Sequence, residues 1–132
     1  MSNTATVQSM YAAFGAGDVP AILAKLADDV DWGYGRVPND VPWLQPRRGR
    51  EAVAGFFESL GALDFHTFAP KTLLESDGVV VALVDVDFTV KATGKRITEE
   101  DEIHVWRFNA DGKVARFKEG LDSLAHQLAL KP

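Results

Sequence analysis

Between Val79 and Lys91 the chain alternates. Val80, Ala82, Val84, Val86, Phe88 and Val90 fall on one side, and Asp85, Asp87, Thr89 and Lys91 on the other. A period of two predicts a strand with one dry face and one wetter face. Comparable runs near Phe65 to Leu74, Lys95 to Phe108 and Lys113 to Asp122 are separated by turn signals at Glu75-Ser-Asp-Gly78, Ala92-Thr-Gly94 and Asn109-Ala-Asp-Gly112. Short turns of this kind join antiparallel neighbours, so the second half reads as a meander. The tail after Asp122 is helix-prone and predicts a short closing helix.

Upstream the period changes. Val7, Met10, Tyr11 and Phe14 recur at i, i+3, i+4 and i+7, predicting an amphipathic helix that ends at Gly15 or Gly17. Asp18 predicts the N-cap of a second helix, with Pro20 in its first turn and Ile22, Leu23 and Leu26 as its buried stripe. Val30 to Tyr34 reads as a short strand. Pro38, Pro42 and Pro46 make residues 35–49 an irregular loop, and its Val41 and Trp43 are apolar enough to fold over something. A third helix is expected from about Arg50 to Leu60, with Val53, Phe56, Phe57 and Leu60 on one face. Three helices followed by a long antiparallel sheet give an α+β architecture with helices on one face. A strongly twisted sheet curling around them leaves a cavity at the wide end of a cone.

Composition narrows the partners. At 132 residues the chain is read as one domain spanning 1–132. A net charge of −5 with no basic stripe argues against nucleic acid. Arg47, Arg48 and Arg50 form the only local basic cluster, read as a solvated loop or a carboxylate clamp. The absence of cysteine excludes disulfides, thiol catalysis and thiolate-bound metal. No signal peptide is visible, and no apolar run approaches the roughly 18 residues that span a bilayer. A cytoplasmic protein with no membrane partner is expected. Dinucleotide, P-loop and G-x-S-x-G motifs are missing, so nucleotide binding and serine hydrolysis have no support.

Several features then coincide in order: Tyr11-Ala-Ala-Phe14, Gly17-Asp18, Ala27-Asp-Asp-Val30 with Trp32, Gly49-Arg-Glu-Ala-Val53 with Phe56-Phe57, and His104-Val-Trp-Arg-Phe108 with Asp111-Gly-Lys-Val114. Together they resemble the SnoaL-like branch of the nuclear transport factor 2-like superfamily, which also contains ketosteroid isomerases. The resemblance implies a cystatin-like cone with a strongly curved antiparallel, mixed-edge sheet, a homodimer through the sheet, and a mostly apolar pocket. It covers nearly the whole chain but does not settle activity, because one cone serves isomerases, cyclases, hydrolases, dehydratases and binders. The isomerases' oxyanion-hole tyrosine falls on Met10, their general-base aspartate on Tyr34, and their protonated aspartic acid on His104. Methionine donates no hydrogen bond and tyrosine is a poor base at neutral pH. Steroid isomerisation by that mechanism is not expected.

Three polar residues carry the remaining candidate chemistry. His104, beside Trp106 and Phe108, is read either as an acid, base or donor near pH 7 or as a core histidine satisfied by its neighbours. Asp122 either shares protons with His104 or caps the closing helix. Tyr34 either orients a substrate oxygen or fills the cone. Trp32, Trp43, Phe57, Phe88 and Trp106, with Met10 and Phe14, are the expected ligand-binding wall. Glu99-Glu-Asp-Glu102 reads as a solvated strand edge. His66 and His126 stand isolated, and neither a metal nor a cofactor is expected. The expected ligand is a small apolar or aromatic molecule bearing a carbonyl or hydroxyl, handled by cofactor-free acid–base chemistry or simply bound. Epoxide hydrolysis finds no convincing Asp-Arg-Asp arrangement.

Overall fold

The structure is a computed structural model, described over residues 2–132. Helix α1 (Asn3–Gly15) is capped by Ser2, whose hydroxyl accepts from the Ala5 amide, and it buries Val7 and Met10. Helix α2 (Val19–Leu23) has Asp18 as its cap, accepting from the Ala21 amide, with Pro20 in the first turn. Both caps satisfy amides that no helical carbonyl can reach.

Leu26 departs from the expected helical stripe. It opens strand β1 (Leu26–Trp32), where it pairs in parallel with Val114. The helix stops early because its next residues are claimed by the sheet, a case of tertiary pairing overriding local periodicity. Asp28 and Asp29 therefore lie within β1 rather than before it. The Arg50 guanidinium sits 3.0 Å from Asp28, and its Nε donates to the Leu26 carbonyl at 2.8 Å. One arginine of the basic cluster is thus a carboxylate clamp.

After β1, the proline-rich segment forms a 3₁₀ turn at Pro42–Leu44 that buries Trp43 and Leu44. It is followed by the two-residue β2 (Arg47–Arg48) and helix α3 (Arg50–Ser59), which buries Val53 and Phe56. The meander comprises β3 (Leu63–Ser76), β4 (Val79–Val90), β5 (Arg96–Phe108) and β6 (Val114–Gly120), and helix α4 (Ser123–Ala129) closes the chain.

The six strands run β2-β1-β6-β5-β4-β3. The meander pairs as expected. The expected mixed pairing arises at β1, which lies beside β6 in parallel. Val80, Ala82, Val84, Val86, Phe88 and Val90 are all buried on the concave face. The helices fill that concavity, giving an α+β cone. Among the described residues, no helix is long and apolar enough to cross a membrane.

Candidate functional site

The space between the concave face and the helices is not fully filled. A cavity of about 80 Å³ remains, lined by α1, α3, β1 and all four meander strands. Most of its wall is rings. Trp32 lies 4.1 Å from Phe117 and 5.8 Å from Trp106, while Phe14 packs 4.8 Å from Phe68. Tilted and edge-on pairs of this kind add about 0.5–1.5 kcal/mol each beyond burial. Half-buried Phe14, Phe57, Leu60, Phe65 and Phe68 mark the mouth. Such a volume holds a few waters or a small fragment, so a larger ligand must displace rings at the mouth.

The polar end is built by an irregularity in β5. Ile97 and Glu99 face inward, as do Glu102, His104 and Trp106, a change of parity within one strand. Glu99 pairs with Val86 and Glu102 with Val84, so β5 spends one residue more than β4 across this step. That is a β-bulge. Asp101 takes a left-handed φ of 60° there. Its amide donates to Asp85 Oδ1 at 3.1 Å, and Lys71 Nζ bridges Asp85 and Asp101 at 2.8 and 2.7 Å. The acidic run is therefore not a solvated edge. Two of its four carboxylates are turned inward, and Glu102 is only 5% exposed. Glu119, opposite His104 in the β5–β6 register, adds a third inward carboxylate.

Hydrogen-bond accounting assigns the protons around His104. The Trp106 indole N–H can only donate, and it donates to Tyr11 Oη at 3.1 Å. Tyr11 then donates its own proton to His104 Nδ1 at 2.7 Å. With Nδ1 an acceptor, Nε2 carries the imidazole proton. It faces Glu102 Oε2 at 3.4 Å and Glu119 Oε2 at 3.8 Å. Burial holds His104 below its usual range, so it stays neutral. Burial likewise raises the Tyr11 phenol, keeping it a donor.

The two glutamates respond alike. Burial pushes Glu102 up to about 7, helped by the charge of Glu99. Burial also pushes Glu119 up to about 7, helped by the charge of Glu102. Their ligand-type oxygens lie within 4.8 Å of each other, close enough for each charge to oppose the other, so the two titrate as one unit. A proton acceptor, a proton donor and a fixed N–H donor thus meet at one end of an apolar cavity. No Lys or Arg lines it among the described residues.

The expected site residues divide cleanly. Met10, Phe14, Trp32, Trp43, Phe57, Phe88, Trp106 and His104 all line the cavity, whereas Asp122 and Tyr34 do not. Asp122 is exposed and accepts from the Ala125 amide at 3.1 Å, the capping alternative. The proposed His104–Asp122 pair is not assembled. Tyr34 follows Gly33, whose φ of 76° turns the chain. Its ring lies under Arg116 at 3.7 Å and its hydroxyl accepts from Arg107 Nε at 3.1 Å, outside the cone. Sequence reasoning missed Tyr11, Glu102, Glu119 and His126. Tyr11 carried a signal, since it shares the apolar stripe of α1 and is polar at its tip. His66 is exposed and bonds Thr89.

Glu102, His104 and Glu119 bring ligand-type atoms within 4.8 Å of one another. The donor set has the elements to hold a divalent ion, and with the imidazole neutral its Nε2 proton faces both carboxyls. Those atoms serve hydrogen bonding in this arrangement.

Residues 7–117 match the family model described as the SnoaL-like domain. An NTF2-like protein of unknown function from Burkholderia pseudomallei K96243 is similar over 100% of both chains, at 27% identity and a TM-score of 0.82. An NTF2-like protein from Burkholderia thailandensis E264 is similar at 26% identity and a TM-score of 0.84, covering 100% of this chain and 99% of that one. TerC, co-crystallised with polyporic acid, shares the fold at 23% identity and a TM-score of 0.75, covering 96% of each chain. No functionally curated protein matches the sequence.

Proposed function

The chain belongs to the SnoaL-like domain family, and from that premise we propose that its cavity binds a small neutral apolar or aromatic molecule bearing a carbonyl or hydroxyl, and moves protons on it without a cofactor. The observation that carries this reading is the Glu102–Glu119 pair beside the His104 Nε2–H, at the polar end of a ring-lined cavity. One carboxylate removes a proton from carbon or oxygen. The protonated partner supplies one to the developing oxyanion, and His104 donates a hydrogen bond to the same oxygen. Aromatic walls hold a planar ligand. The buried carboxylates with no cation among the lining residues disfavour an anionic one.

A second reading, a binder without chemistry, is favoured by the relay itself: every polar atom from Trp106 to His104 is already satisfied. Exchange of ligand C–H for deuterium separates the two. In D₂O, small aryl ketones should lose their α-protons at least ~10²-fold faster with wild-type protein than with Glu119→Gln. Binding without exchange would support the binder, and neither binding nor exchange across the panel would sink both.

The convex face supports a homodimer. Leu74 and Ile103 are 61% and 42% exposed there, and registers Leu74↔Val81 and Leu83↔Ile103 make the patch continuous across β3, β4 and β5. Ile103→Glu should convert a sedimenting dimer to a monomer. A wild type that sediments as a monomer at high concentration removes the idea.

A further inference from the structure

The chain has three tryptophans, and an indole N–H can only donate. Two of the three are used inside the protein: Trp106 donates to Tyr11 Oη at 3.1 Å and Trp43 to His126 Nδ1 at 2.9 Å. The third is not. Trp32 Nε1 is buried without a hydrogen-bond partner, and Trp32 itself is 3% exposed and lines the cavity. Among the described residues one other buried side-chain nitrogen is in this position, Arg47 Nε, and Arg47 is not part of the cavity wall. Its guanidinium bonds the Ala52 and Pro42 carbonyls through its remaining nitrogens. A donor buried without an acceptor forfeits the bonds it made to water. Folded proteins keep few of them, and those few call for a water, a ligand or a function.

Trp32 is also held in place. Its backbone pairs with Phe117 on one side and Arg47 on the other. Its ring lies 4.1 Å from Phe117 and edge-on to Trp106 at 5.8 Å. The same two rings flank His104, Phe117 at 5.5 Å and Trp106 at 6.5 Å, so one small molecule can reach both the indole and the imidazole. Phe57, a half-buried ring at the mouth, lies 6.0 Å from Trp32, and a ligand that displaces it lies beside the indole. We infer that the Trp32 N–H is a specificity-determining donor, and that the ligand carries a second acceptor oxygen, separated by an aromatic ring from the carbonyl or hydroxyl held at the carboxyl end. The inference rests on the ligand class proposed above, which it narrows from one polar group to two. Most hydrogen bonds to a ligand contribute modestly because the donor first gives up water. Trp32 gave up its water on folding, so the second oxygen gains a bond without stripping the donor again. A ligand without that oxygen leaves Trp32 as it stands in the free protein and gains nothing there.

Two ketones of matched shape test it: para-diacetylbenzene, and para-isopropylacetophenone, in which a C–H replaces the second carbonyl. In indole ¹H–¹⁵N spectra of the free wild-type protein, the Trp32 signal should lie upfield of the hydrogen-bonded Trp43 and Trp106 signals. Diacetylbenzene should move it downfield, and isopropylacetophenone should not. By calorimetry the wild type should bind diacetylbenzene about tenfold more tightly than its partner, and Trp32→Phe, which keeps an aromatic ring, should abolish the preference. A Trp32 signal that responds alike to both probes overturns the inference, as does a preference that survives in Trp32→Phe. So does a signal already downfield in the free protein, where a trapped water would hold the donor, and so does failure of both probes to bind. The wild-type spectra decide the matter even where Trp32→Phe does not fold. Exchange of α-protons tests the acid–base reading separately. Exchange on acetophenone with an unmoved Trp32 signal sinks the inference alone, and a shift specific to diacetylbenzene without exchange sinks the catalytic reading alone.

Discussion

Trp106→Ala should lower the stability of the fold by about 3–5 kcal/mol, the range for removing a large aromatic from a packed core. Trp106 is 4% exposed. Its ring centroid lies 4.4 Å from Phe117, 5.7 Å from Tyr11 and 5.8 Å from Trp32, so the cavity left behind is bounded by rings that cannot all collapse into it. Urea unfolding gives the number directly. Tyr11→Phe separates packing from polarity, because it keeps the ring and strips the hydroxyl. That change leaves the Trp106 N–H and His104 Nδ1 both unpaired in the interior, at a cost of about 1–3 kcal/mol. A loss below ~0.5 kcal/mol in Tyr11→Phe would mean that the relay from Trp106 to His104 contributes nothing to the folded state.

The largest pH effect should come from the paired carboxyls. Glu102 and Glu119 rise from 4.5 to about 7 in the folded chain. Between those values the folded state binds more protons than the unfolded one, so stability falls as pH rises through this window. One pKa unit is ~1.4 kcal/mol, which makes the fall on the order of 3 kcal/mol for one such carboxyl. His104 acts in the opposite sense. Its folded-state value is depressed, so its contribution is lost as pH drops below the ordinary histidine range. The diagnostic is therefore a difference. Stability of Glu102→Gln/Glu119→Gln minus that of wild type, measured at pH 5 and at pH 7.5, should be larger at pH 7.5. Equal differences at the two pH values would show that neither carboxyl is held protonated by the fold.

Where a feature depended on local periodicity, the sequence disclosed it. The concave face of β4 follows from strict alternation, and the caps Asp18 and Asp122 follow the ordinary preference for short oxygen-bearing side chains. The ring-lined wall was legible in part for the same reason, since Phe88 sits on a strand whose inward face the alternation gives. The carboxyl centre was not. Stepping by two along β5 from Ile97 puts Glu102 and His104 on the outside, and only the extra residue at the bulge returns both to the interior. A bulge leaves a weak mark in sequence, and here it sits on Asp101 rather than on a glycine. Glu119 was hidden differently. It lies on a short strand whose register against β5 depends on tertiary pairing, as does the early end of α2.

The strand order has a consequence for how the molecule comes into being. Leu26 near the start of the chain pairs with Val114 near its end, while Glu119 and helix α4 follow still later. Contacts so distant in sequence incur their loop-closure entropy before they return anything, and they form late. During synthesis the rings of α1, α3 and the early strands must therefore wait without a partner wall until β6 emerges. The carboxyl end of the cavity is the last part to be completed, and a chain truncated before Val114 would present its aromatic interior to solvent as a target for chaperones.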